Sequence, residues 1–265
     1  MKYKSKKPDE FGNCHYTEEE NAVWSFLIKR QMPLVLNRAC DEYIKGLELL
    51  NFSEEKVPQS SEINRILKDL TGWEVSPVPA VIGPTEFYTL LANKKFPMAT
   101  FIRREEDMDY LQEPDLFHEL FGHCPLLTNQ AYADFLEFYG KLALSMTEKE
   151  RLRLFRLFWF TVEFGMLENN KIYGAGILSS KEETIYSVES NVPIKEDLNI
   201  LTALRTPFRI DIIQPKYFTI KCLNELYQIR DIDLKSIVRK SLEMENLPKL
   251  FDKEANIGMD RNSPC

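Results

Sequence analysis

The segment Pro114-Asp115-Leu116-Phe117-His118-Glu119-Leu120-Phe121-Gly122-His123 contains two of the chain's three histidines. Asp115 to Cys124 reads as a short helix stopped by Gly122 and Pro125. Imidazole is the commonest side-chain ligand for intermediate metals, so a histidine pair in apolar surroundings is a candidate metal site. Histidines four apart share one helix face, as in the H-E-x-x-H of zinc proteases. These two are five apart, which on a regular α-helix offsets them by about 140°. That angle is too wide for two ligands of one ion. The spacing therefore predicts that the helix ends or bends between them. Gly122 is free to adopt the backbone angles that turn His123 back toward His118.

The third ligand is expected to be a carboxylate on an apolar face. Leu152, Phe155, Trp159 and Glu163 recur at helical spacing in a long helix, predicted to open at the capping box Thr147-Glu148-Lys149-Glu150 and to run to about Glu168. From Leu157 to Leu167, Glu163 is the sole ionisable residue. Buried without a partner its carboxylate would cost several kcal/mol, a cost that a metal cation removes. Two histidines and one carboxylate leave three open positions on an octahedral ion, which suits Fe(II) that activates O2. Zinc on the same three residues is the competing assignment, with Glu119 as the general base of a peptidase. The five-residue spacing argues against that reading. A metal-stabilised binding domain without catalysis would need the same ligands.

Around this motif the chain is rich in helix signals. Residues 1–15 are polar and read as a loose N-terminal segment, and 16–265 as one domain. Thr17-Glu18-Glu19-Glu20 is a capping box opening an amphipathic helix through Val23, Trp24, Leu27 and Ile28. Pro33 is expected to break it, with a second helix from Leu34 to Leu50 and a third from Ser61-Glu62 to Gly72. Trp73 to Ile82 reads as extended, Gly83-Pro84-Thr85-Glu86 as a helix start, Met98 to Arg103 as a strand, and Asn129 to Leu144 as a helix. Lys171 to Leu178 reads as a short strand or turn, Pro207 to Gln214 as a strand, and Tyr217 to Leu250 as mostly helical. Helix dominates and the strands are short, so the expected class is mainly α with minor β, an α+β fold.

Composition narrows the function. With 265 residues, 44% of them hydrophobic, the chain can bury a substantial core. A net charge of −7 argues against a general nucleic-acid binder. The positive start at Met1 to Lys7 is followed by no apolar run, so no signal peptide is expected. No stretch approaches the ~20 apolar residues of a membrane helix. Cys14, Cys40, Cys124, Cys222 and Cys265 are scattered without C-x-x-C spacing and read as reduced thiols in a cytoplasmic protein. No C-terminal heptad run is present, which points to a monomer or weak homodimer.

Several segments taken together resemble a known family. They are Phe96-Pro97-Met98-Ala99-Thr100-Phe101-Ile102-Arg103, Asp109-Tyr110-Leu111-Gln112-Glu113-Pro114-Asp115, the His118–His123 motif, Trp159-Phe160-Thr161-Val162-Glu163-Phe164-Gly165, and Tyr173-Gly174-Ala175-Gly176-Ile177-Leu178-Ser179-Ser180. In this order and spacing, over roughly Trp73 to Tyr217, they resemble the tetrahydropterin-dependent aromatic amino acid hydroxylases. The D-Y-L-Q-E-P-D form is similar to that of the bacterial phenylalanine 4-monooxygenases. The resemblance implies a catalytic domain of this type that hydroxylates L-phenylalanine to L-tyrosine with O2 and a tetrahydropterin at a mononuclear non-haem Fe(II). The animal enzymes add a regulatory domain and a tetramerisation helix, for which this chain has no room.

The resemblance also carries roles to positions. It makes His118, His123 and Glu163 the iron ligands. It gives Arg103 the substrate carboxylate, with Asp115 positioning it, and this suits a guanidinium, which grips a carboxylate through two parallel hydrogen bonds. Trp159 matches an aromatic wall of the amino acid pocket, and Gly176 and Ser179 its floor. Phe87 matches the ring that stacks on the pterin, with Ala80, Val81 and Ile82 along its edge and Glu119 beside it. Three positions depart from the animal enzymes: Leu111-Gln112 replaces Thr-Pro, Pro97 replaces a histidine, and Phe158 replaces a tyrosine. All three bear on the pterin contacts rather than on the iron.

Overall fold

A computed structural model describes residues 3–79, 82–109, 111 and 113–251. Helix accounts for about 53% of the structure and the sheets are small, as the patterning predicts. The first helix, Glu18–Val35, starts at the expected capping box: the Glu20 N–H donates to Thr17 Oγ1 at 3.2 Å, and the Thr17 N–H to Glu20 Oε2 at 2.7 Å. Pro33 does not break it. The proline sits in the last turn, where few bonds remain to be lost, and the Leu36 N–H still closes onto Met32 O. The break comes at residues 37–40, and Asp41–Leu50 forms the second helix. Ser60–Thr71 follows and ends at Gly72, whose φ of 77° makes the left-handed cap that glycine favours.

Two strands, β1 (Glu74–Val78) and β2 (Lys95–Ala99), pair in parallel from Glu74↔Lys95 to Val78↔Ala99, joined by the helix Pro84–Ala92. The strand expected at Met98 to Arg103 thus lies further upstream. Its partner β1 ends at Val78, and beyond Ala99 the Phe101 carbonyl turns to the Leu116 N–H at 2.9 Å. This switch places Arg103 beside the histidine-bearing helix. The helix Gln130–Leu144, capped by the Asn129 side chain, packs against Pro84–Ala92 with Gly140 at the crossing.

A second parallel sheet has β3 (Met166–Leu167), β4 (Ile194–Asp197) and β5 (Lys216–Ile220) in the order β3-β5-β4. Two expectations fail here. Tyr217 to Ile220 is strand rather than helix, because β5 is central and buried on both faces and so lacks alternation. Pro207 to Gln214 is irregular rather than strand, its backbone carbonyls being taken by the Gln214 side chain. Residues 175–178, expected as strand or turn, form one helical turn. The tail adds Asn224–Gln228 and Leu234–Leu242 as helices.

A main hydrophobic cluster extends from Cys14 to Val238. Near the N-terminus Tyr3 is buried and stacks on Phe101 at 4.9 Å, and Thr100 Oγ1 exchanges hydrogen bonds with the Lys6 backbone. Among the described residues no helix is long and apolar enough to cross a membrane. The helix Asp41–Leu50 reaches the functional region through Gly46, where an added Cβ would lie 2.0 Å from the Pro125 carbonyl oxygen. Gly46→Ala is therefore expected to lower stability by at least about 2 kcal/mol in thermal or urea unfolding. Gly83→Ala, with nothing within 4 Å of the new Cβ, should cost under about 1 kcal/mol.

Candidate metal centre and the pocket around it

The histidine helix does not stop at Gly122. It runs from Leu116 to Leu127 with a π-helical stretch over His118–His123. In a π-turn residues five apart stand above one another, so the widening brings both imidazoles to one face without a bend. Pro125 is tolerated within the helix because the Tyr43 hydroxyl donates to Phe121 O at 2.6 Å, filling the acceptor that the proline cannot reach. Gly122 serves close approach instead: an added Cβ would meet Ala175 O at 2.9 Å.

The same device carries the carboxylate. Glu148–Phe158 is α-helical from its capping box, and Trp159–Glu163 is π-helical, closed by the Phe164 N–H on Trp159 O at 2.9 Å. The helix ends at Glu163, short of the expected Glu168, and the chain leaves into β3. Gly165 permits this turn, since a Cβ there would overlap the Tyr173 ring at 2.1 Å.

His118 Nε2 lies 3.1 Å from His123 Nε2 and 3.6 Å from Glu163 Oε2, and His123 Nε2 lies 3.2 Å from Glu163 Oε1. These donors fit one metal ion. Protonation fits too. Ser179 Oγ donates its single proton to Ala175 O at 2.8 Å, so at 2.9 Å from His118 Nδ1 it must accept the Nδ1–H. That fixes the tautomer with a lone pair on Nε2, facing Glu163. Burial, against the pull of Glu163, drives His118 down to about 4, which keeps the ring neutral. Burial opposes ionisation of Glu163, but the two imidazoles outweigh it and hold the carboxyl below its ordinary range. The equivalent atom of the second ring, His123 Nδ1, is buried and has no hydrogen-bond partner among the described residues.

Asp115 joins this centre to Arg103. Arg103 Nε donates to Asp115 Oδ2 and Nη2 to Oδ1, both at 2.9 Å, and the Arg103 backbone N–H adds a third bond. Asp115 Oδ1 also accepts the His118 backbone N–H at 3.1 Å. Asp115 is fully buried, and the Arg103 charge, against the cost of burial, holds its carboxyl below the usual range. Arg103 is itself 7% exposed, with its guanidinium 5.7 Å over Phe117. Trp159 sits between two rings, Phe164 and Phe208, each 4.6 Å away. Gly176 lets Phe164 lie down, since a Cβ there would meet that ring at 2.7 Å.

A family model for biopterin-dependent aromatic amino acid hydroxylases matches residues 1–244. The chain belongs to this family. It is 49% identical to the phenylalanine-4-hydroxylase of Pseudomonas aeruginosa, over 94% of this chain and 96% of that one. The structure of the cold-active phenylalanine hydroxylase from Colwellia psychrerythraea superposes with a TM-score of 0.90 at 47% identity, covering 93% and 97% of the two chains. The iron- and phenylalanine-bound phenylalanine hydroxylase from Chromobacterium violaceum gives 0.82 at 37% identity, over 87% and 85%.

In this hydroxylase the anticipated residues fall into distinct places. His118, His123 and Glu163 converge, and Asp115 ties Arg103 to them. Ser179, matched to the pocket floor, also touches His118. Glu119 is buried, and burial, with the negative charges of Glu163 and Asp115, pushes its carboxyl up from the ordinary range. Phe87 packs edge-on to Phe158 at 5.5 Å, and Ile82 is buried. Ala80 and Val81 lie outside the described residues. Sequence reading passed over Phe208 and Gln214, which contact Trp159, and Glu183, which holds the Gln214 backbone. Tyr43 was passed over as well. None sits in a motif, and only the irregular loop brings the first two to the pocket.

Ser179→Ala should weaken Fe(II) binding about 10- to 100-fold, measured by anaerobic titration, with the fold retained. His118→Ala and Glu163→Ala should abolish stoichiometric binding.

Proposed function

We propose that this hydroxylase converts L-phenylalanine to L-tyrosine with O2 and a tetrahydropterin, using Fe(II) held by His118, His123 and Glu163. The observation that carries this reading is the convergence of two imidazoles and one carboxylate beside the buried Arg103–Asp115 pair. Bound there, the iron would activate O2 while the pterin supplies two electrons and takes up the second oxygen atom. Two histidines and one carboxylate leave room on the ion for this, which a closed structural site would not.

The chain's own residues bind and orient. Arg103 holds the amino acid carboxylate. Asp115 engages its Nε and Nη2, which sets the plane of the guanidinium and presents the remaining donors in a fixed fork. Because Asp115 also anchors the His118 backbone, substrate grip and metal ligand share one reference point. Trp159, Phe164 and Phe208 supply apolar surface for the substrate ring and exclude water. Glu119 supplies a polar group on the side assigned to the pterin, where Phe87 and Ile82 supply apolar surface. Residues 16–265 act as the single iron-dependent catalytic domain, as a cytoplasmic monomer or weak homodimer.

The test is tyrosine formation by Fe(II)-loaded protein given L-phenylalanine, a tetrahydropterin and air, with a no-pterin control. Pterin-dependent tyrosine is expected. Pterin oxidation without tyrosine would redirect the assignment to another ring, and loaded protein that oxidises no pterin would overturn the hydroxylase activity. Arg103→Lys keeps a cation against Asp115 but loses the fork, so it should retain iron and raise the phenylalanine KM roughly 10- to 100-fold. An unchanged KM would remove Arg103 from the carboxylate site.

A further inference from the structure

The indole of Trp159 is held by residues far away in sequence. Its Nε1–H donates to Gln214 Oε1 at 3.1 Å. Gln214 is 1% exposed, and both protons of its side-chain amide are in use, on Arg209 O at 2.8 Å and Ile212 O at 2.9 Å. The orientation of that amide is therefore settled by chemistry. Rotated by half a turn, it would set two N–H donors against each other at Trp159 and leave two carbonyls facing its oxygen.

The loop that carries Gln214 is itself tied down. The Gln214 backbone N–H donates to Glu183 Oε1 at 2.9 Å, and the Tyr217 hydroxyl donates to the same oxygen. Glu183 is a buried carboxylate on the helix Lys181–Glu189. Ser179, which orients His118, lies four residues before it. The loop also supplies Phe208, stacked on Trp159 at an interplanar angle of 26°. The π-turn that starts at Trp159 ends at Glu163, so the brace closes a ring through the metal ligands.

We propose that Gln214, locked by Glu183, is a positioning residue that sets the plane of the Trp159 indole and thereby the fit of the substrate's aromatic ring. Neither residue touches iron, and neither is asked to move a proton. This inference rests on the proposed phenylalanine hydroxylase activity for its kinetic consequence, but its structural part stands alone.

Gln214→Leu keeps the bulk and removes every bond of the amide. It should raise the phenylalanine KM about tenfold while kcat changes less than threefold and Fe(II) content stays at the wild-type level. In a Trp159→Phe background, where the indole N–H is already gone, the same substitution should change KM less than twofold, a non-additivity that general loosening would not give. The chain has three tryptophans, so ¹⁵N–¹H spectra offer a readout independent of turnover. The Trp159 indole resonance should move in Gln214→Leu, with those of Trp24 and Trp73 in place. If Gln214→Leu does not fold, Glu183→Ala should shift the same resonance and raise KM, and Glu183→Gln, which keeps the acceptor oxygen, should restore both. An equal KM penalty in both backgrounds, or a Trp159 resonance that does not move, would overturn the proposal. If the wild type makes no tyrosine, the activity assignment fails and the brace stands or falls on the indole resonance.

Discussion

The structure depends on the widened helical turn at His118–His123. A pair of histidines five apart cannot serve one ion from an α-helix, and the π-turn removes the offset. Such turns are uncommon because they weaken packing along the helix axis and misalign the bonds that follow. Here the neighbours compensate. Tyr43 takes the carbonyl that Pro125 leaves, and Gly122 admits the turn Ala175–Leu178 against the helix. That turn carries Ser179 to His118. The local irregularity and the second layer of the site are thus one construction.

The second ligand helix repeats the solution. Trp159–Glu163 is also π-helical, and its two ends do different work, Trp159 facing the aromatic pocket and Glu163 the metal centre. Asp115 links the two functions on the opposite side, through Arg103 and the His118 backbone. Removing the Arg103 side chain outright would strand Asp115 as a buried unpaired charge, so its cost would mix substrate binding with stability. A single short stretch, from Ala175 to Glu183, supports the site, holding His118 through Ser179 and the Gln214 loop through Glu183.

Much of this was legible in the sequence, and the misses have definite causes. His118, His123 and Glu163 were readable because each is a metal-binding type in an apolar run. The sequence reading also named the obstacle, the five-residue spacing, but resolved it with a bend at Gly122. Periodicity reports the α-helical period and is blind to a local change of pitch. The caps at Thr17 and Thr147 were found because they are local in sequence. Strand β5 was missed because burial on both faces erases alternation, and Pro33 was overrated because its effect depends on how close the helix end lies. Gln214 and Glu183 carried no signal at all. They matter through contacts made across 55 and 31 residues of sequence, which only the folded chain provides. Ser179 was placed at the site through family resemblance, yet its contact with His118 Nδ1 needed coordinates.

The two π-turns bring three side chains to one metal centre. Diffraction at the iron absorption edge from Fe(II)-loaded crystals tests it most directly. One anomalous peak per chain is expected, at about 2 Å from His118 Nε2, His123 Nε2 and a Glu163 carboxylate oxygen. A peak bound by only one of the two histidines, or lying away from Glu163, would contradict it.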